Sequence, residues 1–220
     1  MKLKYNHFNI VPFETHMLVY DKIKTGSKVL DAGCASGYFA RELKKKNCKV
    51  WGIDSDKNAI RQAKRYCVDT FAADVETLSS IPFRQKYDYI LLLDVIEHLK
   101  NPNHILQTAK KYLNTKGEII ISTPNIAFLS SRLSHFAGKF EYRDTGIMDN
   151  NHIHFYTKKS LIDLIKRNGL KLKTFDTASG FSQISWFGHY LNHIPKIWQY
   201  KITRLFDTLL AYQFIAFCNS

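Results

Sequence analysis

The sequence predicts an open α/β fold in which a mostly parallel, doubly wound sheet carries helices on both faces. Short apolar segments alternate with amphipathic segments through the first 124 residues, the rhythm of repeated β-α-β units. The run Tyr87–Leu93 is almost purely apolar, as expected for a central strand buried on both faces. A turn at 32–37 contains two glycines and separates the first strand from the next helix, so a ligand can approach its backbone closely.

The individual elements follow from apolar periodicity and from capping residues. Strands are predicted at 28–31, 49–53, 68–72, 87–93, 118–123, 170–176 and 212–218. Helices are predicted at 13–24, 38–46, 57–65, 102–113, 126–136 and 157–167. Ser55 or Asp56 is suited to cap the third helix, and Pro102 lies in the first turn of the fourth. We expect Asn114 and Gly117 to end that fourth helix.

Two segments interrupt the alternation and are expected to shape the binding site. Residues 125–156 form a long connection of the kind that often serves as a lid or an acceptor-binding loop. Residues 181–210 are rich in aromatic side chains and include an amphipathic stretch, which we interpret as an insertion into the fold. No linker or repeat divides the sequence, so residues 1–220 are predicted to form a single domain.

The composition points to a cytoplasmic protein with an affinity for anions. The chain has 220 residues and a formal net charge of +13, a surplus that attracts nucleic acid, anionic lipid or phosphorylated molecules. The alternative is that the lysines only keep the protein in solution. No signal-peptide pattern begins the sequence and no apolar run is long enough to cross a bilayer. We therefore expect a cytoplasmic location, with peripheral contact to an anionic membrane surface as an open possibility.

Four acidic residues follow four predicted strands, at the edge where such sheets bind their ligands. They are Asp31, Asp54, Asp74 and Asp94. Asp54 is placed to accept both ribose hydroxyls of an adenosine-containing ligand. The first turn reads Asp-x-Gly-x-x-x-Gly rather than G-x-G-x-x-G, with an acid where a cationic amine would be held. This favours S-adenosylmethionine (SAM) over a nicotinamide cofactor.

The ordered motifs resemble those of class I SAM-dependent methyltransferases. They are Val-Leu-Asp-Ala-Gly-Cys-Ala-Ser-Gly (29–37), Gly-Ile-Asp (52–54), Ala-Asp-Val (73–75) and Leu-Asp-Val-Ile-Glu-His-Leu (93–99). Ile-Ser-Thr-Pro-Asn (121–125) and His-Phe-Tyr-Thr (154–157) are similar to a subgroup of ubiquinone-biosynthesis O-methyltransferases and polysaccharide-pathway methyltransferases. The resemblance implies a Rossmann-like sheet of seven strands, with SAM as methyl donor and S-adenosylhomocysteine (SAH) as product. Ala35 departs from the glycine that is common in the family.

The resemblance also implies which residues bind the cofactor. The methionyl end would contact Asp31, Gly33, Cys34 and Gly37; the ribose would contact Asp54 and Ser55; the adenine would contact Asp74 and Val75; and Asp94 would lie beneath the sulfonium.

The acceptor chemistry points to histidine. A sulfonium methyl group is already activated, so an oxygen acceptor needs alignment and a base with a pKa near the working pH. His98 and His152 are our candidate catalytic residues, ahead of His154. We predict SN2 transfer to an oxygen of a small-molecule, glycan or lipid-linked acceptor.

Neither an Asn/Asp-Pro-Pro-Tyr motif nor a Pro-Cys nucleophile follows the fourth strand, which disfavours adenine-N6 and cytosine-C5 methylation.

Three alternatives remain open at this point. The chain could methylate RNA, although it has no zinc finger, RRM motif or basic tail. It could be a non-catalytic module that only binds SAM. The third alternative is dependence on a metal ion. In some ubiquinone-pathway relatives, the motif that matches Asp94-x-x-Glu97-His98 binds a divalent ion; we predict no metal here. The sequence does not predict an oligomeric state.

Overall fold

A computed structural model describes residues 7–183 and 193–220 and contains one seven-stranded sheet. Its strands are β1 (Lys28–Ala32), β2 (Lys49–Asp54), β3 (Asp69–Ala72), β4 (Tyr87–Leu93), β5 (Leu113–Pro124), β6 (Lys171–Ser179) and β7 (Ala211–Asn219). The order across the sheet is β3-β2-β1-β4-β5-β7-β6. β7 runs antiparallel to both of its neighbours, and the other pairs are parallel. The predicted doubly wound α/β class is confirmed.

Helices cover both faces of this sheet. They are α1 (Thr15–Lys22), α2 (Tyr38–Lys44), α3 (Lys57–Ala63), α4 (Pro102–Lys111), α5 (Leu129–Phe136), α6 (Lys158–Arg167), α7 (Lys196–Leu205) and α8 (Asp207–Leu210). Asp56 caps α3 by accepting hydrogen bonds from the amides of Asn58 and Ala59. Thr157 and Ser160 form a capping box at the start of α6.

Alternate residues of the central strands pack into two separate apolar cores. Leu30 and Ile90 belong to the core beneath α4 and α6. Val29 and Leu91 belong to the opposite core, beneath α1 and α2. This burial on both faces explains why β4 reads as a continuous apolar run, and its bounds agree with the prediction.

The predicted end of the fourth helix is wrong. α4 ends at Lys111, and β5 begins at Leu113, so Asn114 and Gly117 lie within the strand. Gly117 is needed there because an added Cβ would lie 2.8 Å from Leu113 and 2.9 Å from the Tyr87 carbonyl oxygen. Glycine is typical both of a helix C-cap and of a place where two backbone segments approach closely, so the sequence alone does not distinguish these two roles.

The long connection 125–156 is tied to the sheet at its two ends. Asn125 and Tyr156 form an isolated bridge, and the Asn125 amide donates to the carbonyl of Tyr212 on β7. In the aromatic insertion, Phe181–Gln183 forms one 3-10 turn, and α7 and α8 follow. Its middle part, 184–192, lies outside the described residues. None of the helices in the described ranges is long and apolar enough to span a membrane.

Candidate functional site

The four predicted acids lie together at the carboxyl edge of the parallel strands. In the sheet register, Asp31 is opposite Gly52 and Leu91, and Asp54 is opposite Ala72. Asp94 follows β4 directly, and Asp74 lies two residues after the end of β3. Because β1 lies between β2 and β4, this edge contains the switch in strand order where open sheets bind ligands.

The turn after β1 has a backbone conformation that favours glycine. Gly33 has a φ of 93° and Gly37 a φ of 75°. A Cβ on Gly33 would lie 2.5 Å from the Val95 side chain, and one on Gly37 would lie 2.8 Å from the backbone of Ala63. Ala35 has a φ of 45°, a left-handed conformation that costs an L-residue about 1–2 kcal/mol. The turn therefore keeps its shape despite the departure from glycine at Ala35.

Asp31 is buried at the end of β1 and is short of compensating partners. Within the described ranges, no residue donates a hydrogen bond to its carboxylate. Burial, and after it the negative charge of Asp54, raises the pKa of Asp31 to about 7. A bound ammonium group would stabilise the ionised form, as the methionyl amine of SAM would do.

Asp54 connects the turn to β2 and keeps capacity for a ligand. Its carboxylate accepts hydrogen bonds from the backbone amides of Ala35, at 2.8 Å, and Asp56, at 2.9 Å. A carboxylate has about four lone-pair positions, so both oxygens can still accept a hydroxyl. Ser55 beside it is exposed.

Three other residues predicted to bind the cofactor, Asp74, Val75 and Cys34, differ in their exposure and in the groups that face the turn. Asp74 is exposed and accepts a hydrogen bond from the Glu76 amide at 2.9 Å, while Val75 is buried. The Cys34 sulfur packs toward the sheet, because a Cβ on Gly52 would lie 2.7 Å from it. The Cys34 thiol also lies 3.7 Å from the Ala35 carbonyl oxygen, to which it can donate, so it is engaged within the turn itself.

Asp94 is held by polar side chains from distant parts of the chain. Its Oδ1 accepts a hydrogen bond from the Ser122 hydroxyl at 2.8 Å, and the Gln213 side-chain amide lies 2.8 Å from both carboxylate oxygens. The Thr15 hydroxyl in turn donates to the Gln213 side-chain oxygen. Sequence reasoning missed Gln213 and Thr15, because no motif marks either residue.

Two aromatic residues also missed by sequence reasoning lie close to these acids. The rings of His16 and Tyr38 are 5.3 Å apart, and the Asn9 amide donates to His16 Nδ1 at 2.8 Å. Burial raises the pKa of the Tyr38 phenol, and the charges of Asp31 and Asp94 act in the same direction. The only available sequence signal was the position of Tyr38 directly after Gly37.

His98 and His152, 54 residues apart, come together. Their ring centroids lie 4.8 Å apart in an edge-to-face arrangement. His98 Nδ1 is 3.0 Å from the Asn151 carbonyl, and His152 Nδ1 is 3.0 Å from the Ile147 carbonyl. A carbonyl can only accept, so Nδ1 carries the proton in both rings and Nε2 remains able to accept one. Burial lowers the pKa of His152, which favours the neutral ring.

His154 does not join this pair. Its Nε2 lies 3.3 Å from the Lys100 carbonyl. The carbonyl oxygen of Glu97 accepts hydrogen bonds from the amides of Ile153, at 2.8 Å, and His154, at 3.0 Å, which fixes the segment beside the 3-10 turn Ile96–His98.

Glu97 is a buried carboxyl group beside the two histidines. It is 1% exposed, and neither carboxylate oxygen has a well-formed hydrogen bond among the described residues, although the Thr123 side chain and the Glu97 backbone are close enough to oppose the rise of its pKa. Burial, with a further contribution from the charge of Asp94, raises its pKa well above the ordinary value. One ligand atom each of Glu97, His98 and His152 lies within 4.8 Å of the others.

This cluster has donors that fit a divalent metal ion. A buried carboxyl group and two imidazoles whose Nδ1–H groups donate to carbonyls are typical of such sites. The grouping differs from the family motif noted above, because Asp94 is engaged by Ser122 and Gln213 and His152 takes its place.

Comparison with known proteins supports the interpretation of this edge. Residues 8–174 match a family model described as a methyltransferase domain. The chain is 27% identical over 162 residues to a ubiquinone biosynthesis O-methyltransferase of Pelagibacter ubique (strain HTCC1062), covering 71% of this chain and 66% of that protein. It is 26% identical over 192 residues to the protein of the same name from Hydrogenovibrio crunogenus (strain DSM 25203 / XCL-2), covering 84% and 74%. Across the curated relatives of this name, the chain spans between 43% and 74% of their length, and less than two thirds of most of them.

Solved structures show the same fold. Magnesium protoporphyrin IX methyltransferase from Synechocystis PCC 6803, with bound SAH, aligns with a TM-score of 0.60 at 16% identity, over 92% of this chain and 78% of that one. The predicted cofactor is the one that this family uses. With its seven-stranded sheet, its glycine turn and its row of strand-end acids, the chain belongs to the methyltransferase-domain family of SAM-dependent enzymes.

Proposed function

We propose that the chain transfers a methyl group from SAM to an oxygen atom of a small-molecule, glycan or lipid-linked acceptor, by direct SN2 displacement. The observation that carries this proposal is the edge formed by Asp31, Asp54 and the turn 32–37. There, a buried carboxylate without a hydrogen-bond donor lies beside a second carboxylate that can still accept hydroxyl groups.

Each part of the donor is matched by a group of this edge. Asp31 holds the methionyl ammonium, and Gly33 and Gly37 let the backbone approach it. Asp54 accepts the ribose hydroxyls, and Asp74 with Val75 borders the adenine. Asp94, fixed by Gln213, lies near the sulfonium. These residue roles are proposals that extend the family assignment to this chain.

His98 and His152 are proposed to deprotonate the acceptor hydroxyl. Each ring has a fixed Nδ1–H and a free Nε2 lone pair, the form required of a general base. The lowered pKa of His152 keeps this ring unprotonated near neutral pH.

A divalent ion held by Glu97, His98 and His152 would instead lower the pKa of the acceptor hydroxyl by its charge. Calorimetric titration with Mn²⁺ separates the two cases: the metal-free site predicted from the sequence should give no binding heat, whereas a metal site at Glu97, His98 and His152 should give a saturable heat.

Calorimetry with SAM tests the proposal. Asp54→Ala should weaken SAM binding by tenfold or more, because it removes a charge-assisted acceptor worth about 1.5–3 kcal/mol. Asp69→Ala, an exposed acid at the start of β3, is the matched control and should leave the affinity unchanged. A folded protein that does not bind SAM would refute the proposal.

The histidine variants separate an enzyme from a non-catalytic module. His98→Ala and His152→Ala should bind SAM normally but lose transfer of labelled methyl groups to a panel of catechols and hydroxybenzoates. Equal transfer by both variants and by the original chain would show that neither histidine acts as the base.

We further propose that α7 contacts an anionic lipid surface, which suits a lipid-linked acceptor. Leu205 is 76% exposed, Trp198 is 55% exposed, and Phe206 is 53% exposed. The Lys201 ammonium lies 4.9 Å from the Trp198 ring, so apolar and cationic groups share this surface.

A further inference from the structure

We propose that a cavity beside α5 binds the distal part of an amphiphilic acceptor, with Arg143 and Lys139 holding an anionic group on it. The proposal rests on the proposed function, because it names the chemical class of the acceptor. The anionic group is a carboxylate, sulfonate or phosphate, and the rest of the acceptor is apolar or aromatic.

The cavity has the size and the mixed lining of a small-molecule site. Its volume is about 780 Å³, within the range of about 300–1,000 Å³ typical of such sites. α5 forms one wall and the segment 139–148 forms the other, with Tyr212 of β7 at its base. Apolar groups such as Leu129, Ile147 and Met148 share the lining with serine hydroxyls of α5.

The cavity adjoins the histidine pair. The carbonyl of Ile147, a lining residue, accepts the hydrogen bond from His152 Nδ1. Tyr212, another lining residue, is followed in β7 by Gln213, whose side-chain amide lies 2.8 Å from Asp94, so the cavity and Asp94 are joined through neighbouring residues of one strand. An acceptor that occupies the cavity therefore has its other end beside the reacting atoms.

A row of aromatic rings also connects the cavity with the histidine pair. The Phe155 ring lies 6.3 Å from His152 and 6.1 Å from Phe140. Phe140 in turn stacks on His135, a lining residue, at 5.0 Å. Such a row of rings suits an acceptor with an apolar or aromatic body.

The lining carries a net positive charge. Arg143 and Lys139 line the cavity together with one acid, Glu141. Within the described ranges, no carboxylate forms an ion pair with either cation. Arg143 is also close enough to Tyr212 to oppose the effect of burial on its pKa. A guanidinium group in this position is suited to a bidentate contact with a planar or tetrahedral anion.

Two fluorescent dyes of nearly the same shape test the inference. 1-Anilinonaphthalene-8-sulfonate has an apolar body and a sulfonate, and N-phenyl-1-naphthylamine is the same body without the charge. Fluorescence titration of the full chain should give a dissociation constant for the sulfonate at least tenfold lower than for the neutral dye. Arg143→Gln should remove this difference while leaving the affinity for the neutral dye within twofold.

Two further variants locate the dyes and control for charge. Ser134→Trp fills the cavity and should weaken binding of both dyes. Lys64→Gln, which removes a cation at the end of α3, should change neither affinity. Equal affinity for the two dyes, a difference that survives Arg143→Gln, or binding that survives Ser134→Trp would each overturn the inference.

SAM calorimetry on the same proteins keeps the two proposals separate. Arg143→Gln should bind SAM like the unchanged chain, since Arg143 lies outside the donor site. Failure of the unchanged chain to bind SAM would overturn the proposed function, whereas the dye titrations alone decide whether the cavity recognises an amphiphilic anion.

Discussion

At the scale of single residues, the site depends on acids whose surroundings differ. Asp54 is supported by two backbone amides and Asp94 by two side chains, while Asp31 is buried without a donor among the described residues. The same side chain is therefore found in three different environments. The pKa of Asp31 is raised to about 7, which makes its interaction with a cation dependent on pH.

We predict that SAM affinity rises with pH because of Asp31. Below about pH 6, binding must first remove a proton from Asp31, so the association constant should fall about tenfold per pH unit and level off above about pH 8. Calorimetry between pH 5 and 8.5 measures this dependence. Asp31→Asn should bind weakly and show a flat profile over this range.

The stability of the ligand-free protein should change in the opposite direction. The pKa of Asp31 is raised from 3.8 to about 7 on folding, so its contribution to stability is fully present below the unfolded pKa and is lost as pH rises through about 7. Added SAH should offset this loss by pairing its ammonium with Asp31. An Asp31→Asn protein with the same pH dependence of stability as the original would contradict this assignment.

At the scale of elements, the long connection is positioned by one buried asparagine at the end of β5. The Asn125 side chain donates to the carbonyls of Ala211, at 2.9 Å, and Thr208, at 3.2 Å, and accepts from the Ala127 amide at 3.0 Å. Asn125 therefore joins β5, the start of β7 and the first residues of the lid. Both walls of the cavity beside α5 follow this junction along the chain.

Asn125→Ala should lower the free energy of unfolding by about 3 kcal/mol or more. It removes the side-chain partner of the Ala211 carbonyl and of the Ala127 amide, each at a cost of about 1–3 kcal/mol, while the Thr208 carbonyl keeps its hydrogen bond from Arg132. Urea denaturation followed by fluorescence measures the change. Asn150→Ala, at an exposed position of the same connection, should cost less than about 0.5 kcal/mol. Similar stabilities for the two variants would show that Asn125 does not anchor the lid.

The elements that sequence reasoning predicted well are those fixed by local pattern. β4 follows from a continuous apolar run, and the N-cap of α3 follows from Asp56. The strand-end acids were found because the alternation of elements places all parallel strand ends at one edge. Gly117 was misinterpreted because its role depends on Leu113 and Tyr87, which pack against it only in the folded sheet.

The parts that were missed depend on contacts between distant segments. Gln213 reaches Asp94 across 119 residues, and only the antiparallel course of β7 brings it there. The pairing of His98 with His152 was likewise not visible, because the conformation of 125–156 follows no simple periodicity. Non-local polar contacts of this kind leave no spacing rule in the sequence.

At the scale of the whole molecule, the positive charge and the exposed apolar side chains act together. The net charge is +13, and α7 places Trp198 and Leu205 at the surface. The apolar side chains would enter the headgroup region while the cations remain among the phosphates. Electrostatic attraction alone would draw the protein to RNA as well, so it is the exposed apolar side chains that favour the proposed lipid surface over RNA.

We predict salt-sensitive binding to vesicles of phosphatidylglycerol mixed with phosphatidylcholine. Co-sedimentation should be strong near 50 mM salt and weaker at 0.5 M, where the Debye length falls below about 5 Å. Trp198→Ser combined with Leu205→Ser should reduce binding at both salt concentrations. Val68→Ser, at an exposed apolar position elsewhere, is the control. Equal binding to pure phosphatidylcholine, or no effect of the double substitution, would refute the membrane contact.

The position of β7 between β5 and β6 has a consequence for the order of assembly. β6 pairs with β7 and with no other strand of the described sheet, although it precedes β7 in the chain. β6 therefore has no neighbour in the sheet until β7 inserts beside β5, and the same insertion delivers Gln213 to Asp94. The step that completes the sheet is thus also the step that fixes the Asp94 carboxylate with the Gln213 amide, so docking of the last two strands and ordering of this acid are coupled.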